Sequence, residues 1–224
     1  MKKLLLIIII LAFGLLSKAQ EQTVTFYKDG FLKKEVKEKK ANFKKVETVD
    51  SEGIIHVKVY DLFKNWLISE EIYNKNRTPT GIWTTRSGLG LKKWDFSKLV
   101  YADKEMDSIY RSIGKELNDN LDIDNDKIAQ FGENEHSLFQ YLLDNLEFPR
   151  EALERDIKGV VRLRFAVKKD GSVEVIAILD SAHPLLDYTA WELIEKMPKW
   201  KPATKNGKPI ESYFHLPISF MLTY

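Results

Sequence analysis

The sequence has 224 residues, of which 44% are hydrophobic and 12% aromatic, enough apolar material for one or two packed domains and too much for a disordered chain. Its 35 basic and 33 acidic residues leave a formal charge of +2, which argues against a dedicated polyanion binder. Cysteine is absent, so disulfides, a thiol nucleophile, thiolate metal sites and a lipid-modified N-terminal cysteine are all excluded.

Residues 1–19, MKKLLLIIIILAFGLLSKA, set Lys2 and Lys3 before an apolar run over residues 4–16, then end on Ser17-Lys18-Ala19. That layout predicts a secretory signal peptide cleaved before Gln20 and a periplasmic protein. The run falls short of the roughly 20 residues that span a bilayer as a helix. If it stays uncleaved it becomes an inner-membrane anchor, the protein's one attachment to a membrane.

Residues 20–100 are rich in β-branched and aromatic residues, with turn punctuation at Asp29-Gly30, Glu52-Gly53, Thr78-Pro79 and Ser87-Gly88. IIHVKVY (54–60) alternates as a half-buried strand does, and LISEEIY (67–73) and GIWTTR (81–86) read as its neighbours. The region is expected to be an antiparallel β-meander.

Residues 101–131 form an acidic helical connector. Met106, Ile109, Tyr110, Ile113 and Leu117 recur at helical spacing. The run NDNLDIDND (118–126) then breaks the pattern. Asp122, Asp124 and Asp126 fall at the first three ligand positions of a calcium loop with Glu133 at the twelfth, but Lys127 stands where that loop needs glycine. A solvated, helix-breaking loop is the better reading. No cofactor and no metal is expected.

Residues 132–224 form the last predicted domain. Leu138, Tyr141, Leu142 and Leu146 give a second helical stripe. Pro149 suits the first turn of a short helix, FPREALERD, that Gly159 ends. VVRLRFAV (160–167) alternates apolar residues against Arg162 and Arg164; Asp170-Gly171 makes a tight turn, and SVEVIAILDSA (172–182) returns. Pro184 opens another helix, Pro198 stops it, and SYFHLPISFMLTY (212–224) closes the chain. The predicted fold is α+β: two helices and a three-stranded antiparallel sheet in the order α-β-β-α-β, with the helices on one sheet face. These elements can share one apolar face, so 132–224 is expected to fold alone.

The ordered landmarks resemble the TonB C-terminal domain family. They are Phe148-Pro149, Gly159 with Val160 and Val161, Asp170-Gly171, Leu186-Asp187 with Ala190, Trp200 and Pro202, Asn206-Gly207-Lys208-Pro209, Leu216-Pro217 and Phe220. More weakly, PTGIWTTRSGLGLKKWDFSKLVYAD (79–103) resembles one MORN-like Gly-x-Trp repeat unit. The family resemblance implies a domain that grips an extended peptide of a TonB-dependent outer-membrane transporter, or another envelope protein, by adding it to a sheet edge. Transducing members carry a Pro-rich spacer and a membrane anchor. The 7 prolines here are dispersed, which leaves a scaffold protein without energy transduction as the alternative.

By that resemblance the partner-binding candidates are Phe148, Pro149, Tyr213, His215, Pro217, Ser219 and Met221. Pro217 cannot donate to a ladder, so it marks an edge, either open to a partner strand or guarded against one. Phe148 and Pro149 have core packing as their competing role. Trp200, Pro202, Asn206, Gly207, Gly159 and Gly171 are assigned structural roles: Trp200 as a core anchor, and Asn206-Gly207 as the turn into the last strand. The basic-aromatic spacing around Trp200 is thus no nucleic-acid surface. No enzyme is expected. The four histidines form no i, i+4 pair, and Ser181, His183 and Asp187 come without a nucleophile elbow. The oligomeric state is left open.

Overall fold

The computed structural model describes residues 21–119, 126–134 and 136–221, and the signal segment lies outside them. The chain divides into two compact units, one running to Lys98 and including Glu154–Asp156, the other Leu99–Leu153 with Ile157–Tyr224.

The first unit is the expected antiparallel meander. Its six strands pair in sequence order: β1 (Glu21–Tyr27), β2 (Phe43–Val49), β3 (Ile55–Asp61), β4 (Trp66–Tyr73), β5 (Ile82–Ser87) and β6 (Gly90–Asp95). Period-two alternation sends Ile55, Val57 and Val59 into a core shared with Leu32, Val49, Ile68 and Tyr73. Trp83 and Trp94 stand opposite each other on β5 and β6, and both are buried. Their indole nitrogens are satisfied: Trp83 donates to the Ile72 carbonyl at 2.8 Å and Trp94 to Thr85 Oγ1 at 2.7 Å.

The second unit is α+β. It contains α1 (Lys104–Asp119), α2 (Ser137–Asn145), α3 (Arg150–Leu153), β7 (Gly159–Val167), β8 (Val173–Asp180), α4 (Pro184–Glu195), β9 (Ala203–Lys205), β10 (Lys208–Ile210) and β11 (Ser212–Phe220). The three-stranded sheet has the order β11-β7-β8, antiparallel throughout. Val161, Leu163 and Phe165 on one face of β7 are buried with Leu186, Ala190 and Ile194 of α4, which packs on β7 and β8.

Two details differ from the sequence reading. The helix after Pro149 ends at Leu153 rather than near Gly159, because Asp156 turns to φ 51° and the Ile157 amide closes on the Ala152 carbonyl at 2.9 Å. Asn206-Gly207 joins β9 to β10, a short hairpin of its own, before the chain enters β11. Both turn residues have positive φ, 51° and 73°, as a two-residue turn of the primed kind requires. The connector helix α1 lies against the other sheet face, the one that carries Arg164.

Candidate functional site

The two edges of the second unit's sheet are not equivalent. On the β8 side, residues 100–102 lie alongside the strand: the Ile178 amide donates to the Val100 carbonyl at 2.8 Å and the Ala102 amide to the Ile178 carbonyl at 2.9 Å. On the β11 side, no strand among the described residues pairs beyond β7. An edge without a strand partner presents a row of backbone donors and acceptors.

Hydrogen bonding at the β7–β8 hairpin shows which groups face outward. The Lys168 amide donates to the Ser172 carbonyl at 2.8 Å, so Val167 and its alternates turn their backbone polar groups toward β11. Their partners there are Ser212, Phe214, Leu216, Ile218 and Phe220, in an unshifted register. Tyr213, His215, Pro217 and Ser219 therefore direct their backbone away from β7. Pro217, with no N–H to give, sits where the ladder to β7 loses nothing.

The same alternation puts the side chains of Tyr213, His215, Pro217, Ser219 and Met221 on the sheet face opposite the α4 core. The Arg164 side chain, paired across the strands with His215, lies on that face too and is only 1% exposed. It donates to His215 Nε2 through Nε, at 2.7 Å, and through Nη2, and its Nη2 reaches Asp107 of α1 at 3.4 Å. Burial and the Arg164 and Arg111 cations push the His215 imidazole below its usual range, while Asp107 pulls the other way. Asp107 is held below the usual carboxylate range, first by its hydrogen bond from Arg111. The sequence reading grouped Arg164 with the solvent-facing Arg162. Strand period alone carries no sign of α1 covering it.

Phe148 and Pro149 fall elsewhere. Phe148 packs edge-on against Phe220, with ring centroids 5.6 Å apart, on the core side of β11, and Pro149 is buried. These two are brought near the end of β11 but not onto the face of the other five candidates. Trp200 is 6% exposed, its ring centroid lying 5.3 Å from Phe131, 5.6 Å from Phe165 and 5.1 Å from Phe214. The Trp200 amide donates to the Gly171 carbonyl at 2.9 Å. Gly171 has φ 84°, and a Cβ there would meet the Trp200 carbonyl oxygen at 2.2 Å. A Cβ on Gly159 would stand 2.7 Å from the Ala182 methyl. Half-buried Pro202 follows Lys201, whose amide pairs with the Gln130 carbonyl at 2.8 Å. Asn206 receives an anchor from outside its hairpin, its amide donating to Asp126 at 2.8 Å.

Asp187 is fully buried at the start of α4. It accepts from the Ser181 hydroxyl at 2.5 Å, the Tyr101 hydroxyl at 3.2 Å and the Ala182 amide at 3.3 Å. Burial raises its carboxyl to about 6 despite these donors, and burial beside Asp187 raises the Tyr101 phenol. His183 caps α4 through Nδ1, which accepts from the Leu185 amide at 3.2 Å. Ser181 reaches Asp187 directly, so the three residues make a helix-start brace with no histidine relay. Asp122 and Asp124 of the acidic run lie outside the described residues, and among the described residues no cluster of three metal-ligating side chains occurs. The described helices include none long and apolar enough to cross a membrane.

A small α+β domain whose sheet is capped on one edge and, among the described residues, has no strand on the other is the class that this geometry defines. Residues 144–222 match the family model described as Gram-negative bacterial TonB protein C-terminal, which makes the C-terminal domain a member of that family. The match spans about a third of the chain and begins inside α2 rather than at Phe148. Domains of this family are non-enzymatic parts of envelope transport that interact with outer-membrane proteins. It does not reach the Gly-x-Trp resemblance of residues 79–103. Comparison with curated proteins and with solved structures returned no match.

Proposed function

We propose that this is an exported, periplasmic protein whose C-terminal domain binds an extended peptide of an outer-membrane transporter or another envelope partner by strand addition to β11. The observation that carries the proposal is the asymmetry of the sheet: residues 100–102 occupy the β8 edge, and no described strand occupies the β11 edge. A peptide added there would draw on the outward amides of Tyr213, His215 and Ser219, with a gap at Pro217, and main-chain pairing would supply most of the affinity. Membership of the domain in the TonB family supports the class of partner.

Synthetic peptides copied from extended segments of outer-membrane transporters test the reading by amide hydrogen exchange. Protection gained at Tyr213, His215 and Ser219 is the expected result. Ser219→Pro removes one outward donor without taking one from the β7 ladder, and should weaken binding about three- to tenfold, one hydrogen bond's worth. Peptide protection that maps to β8 or to the meander, or binding indifferent to Ser219→Pro, would refute the β11 assignment.

A further inference from the structure

In an antiparallel meander alternate turns gather at one end, and here the connections β1–β2 (28–42), β3–β4 (62–65) and β5–β6 (88–89) share an end of the first unit's sheet. That end is unusually apolar at its surface. Phe63 is 92% exposed and Leu89 80%, and Phe31, Leu62 and Trp66 are exposed beside them. The turns at the opposite end, 50–54 and 74–81, carry no exposed large hydrophobic residue, and Ile82 at the start of β5 is the one that borders them. Exposed apolar groups set singly are ordinary, but four on the turns of one end, with Trp66 at the start of β4 beside them, are not.

The same end is basic. The 28–42 connection holds six lysines against three acidic residues, and Lys64 lies in the 62–65 turn, while at the 88–89 turn the Gly88 amide donates to Glu154 at 3.0 Å. Cations and rings are interleaved, with Lys33 over Phe31, and Lys64 and Arg86 both over Trp66 at 4.8 and 4.7 Å from the ring centroid.

These tips are held rather than loose. Buried Asp61 accepts from the amides of Phe63 and Lys64 at 2.9 and 2.8 Å, and Asp29 accepts from those of Lys33 and Lys34 at 3.2 and 2.9 Å. The Leu62 amide donates to the Asn42 carbonyl at 2.8 Å, which ties two of the connections together. Leu32, at φ 55°, turns inward onto the Ile55–Val57–Val59 core and leaves Phe31 outside.

We propose that this end of the meander docks on an anionic phospholipid surface, with Phe63, Leu89 and Phe31 entering the headgroup–acyl boundary and the lysines pairing with lipid phosphates. Rigid apolar points ringed by cations fit that boundary: buried area and electrostatic attraction to anionic lipid act together there, as they do for interfacial helices. A nucleic acid would use the lysines but gains little from aliphatic Leu89 and Leu62, which favours the lipid.

The test is co-sedimentation of the chain from Gln20 onward, which keeps every described residue, with phosphatidylglycerol-containing and pure phosphatidylcholine vesicles. Partition to the anionic vesicles alone is expected. Phe63→Ser, at a site too exposed to disturb the fold, should weaken it about tenfold or more. Lys33→Glu combined with Lys64→Glu should do the same, while Ile82→Ser, at an exposed apolar site outside these turns, should leave it unchanged. Equal partition to neutral vesicles, no partition to either, or insensitivity to Phe63→Ser would overturn the proposal. Displacement from vesicles by a single-stranded oligonucleotide whose own binding tolerates Phe63→Ser would overturn it in favour of a polyanion site.

Discussion

Trp200→Ala separates a core anchor from a functional surface. The side chain is buried among Phe131, Phe165 and Phe214, with all three centroid distances within 5.1–5.6 Å. Removing a buried large aromatic costs about 3–5 kcal/mol, and the lost ring pairs, worth about 0.5–1.5 kcal/mol each, push toward the upper end. One feature pulls the other way. The Trp200 indole N–H is buried without an acceptor among the described residues, a desolvation cost of roughly 1–3 kcal/mol that alanine relieves. A net loss of about 3 kcal/mol is therefore expected, equivalent to a fall in Tm of roughly 12 °C for a domain of this size. Differential scanning calorimetry on the chain from Gln20 should show the loss in the transition of the second unit, with the meander transition unmoved. Trp200→Phe, which keeps ring packing and removes the orphaned N–H, should recover more than half of it. A shift below about 4 °C for Trp200→Ala, or a loss of peptide binding at unchanged Tm, would refute the anchor role.

Two further outcomes follow from the packing of the second unit. The Asp187 carboxyl holds its proton to about pH 6 when folded, against about 4 when unfolded, so the folded state binds the extra proton between those values and stability falls as pH rises through the window. Asp187→Asn abolishes that dependence; relative to the wild type, urea midpoints of the variant should improve between about pH 4.5 and 7.5, by up to about 3 kcal/mol, and a pH-independent difference would refute it. A fragment of residues 99–221 should unfold at higher temperature than one of residues 132–221, because the shorter piece loses the β8 pairing at Val100 and Ala102, the Tyr101–Asp187 bond and the buried Phe131 ring. Equal melting temperatures would show that these contacts contribute nothing.

The sequence by itself determined the elements whose signals are local. Alternation in IIHVKVY and VVRLRFAV, glycine at the Asp170-Gly171 and Asn206-Gly207 turns, and Pro184 at a helix start are read within a few residues, because strand period, positive φ and a missing N–H act at that range. The ordered landmarks likewise located the TonB-family domain to within a few residues at either end. Only the tertiary structure decided what covers what. Residues 100–102 occupy one sheet edge, and α1 turns Arg164 from a surface cation into a buried partner of His215 and Asp107. Asp187 finds Tyr101 from 86 positions away. Burial and edge exposure depend on contacts between segments distant in the chain, and the alternation of a strand is the same whether its polar face meets water or a helix.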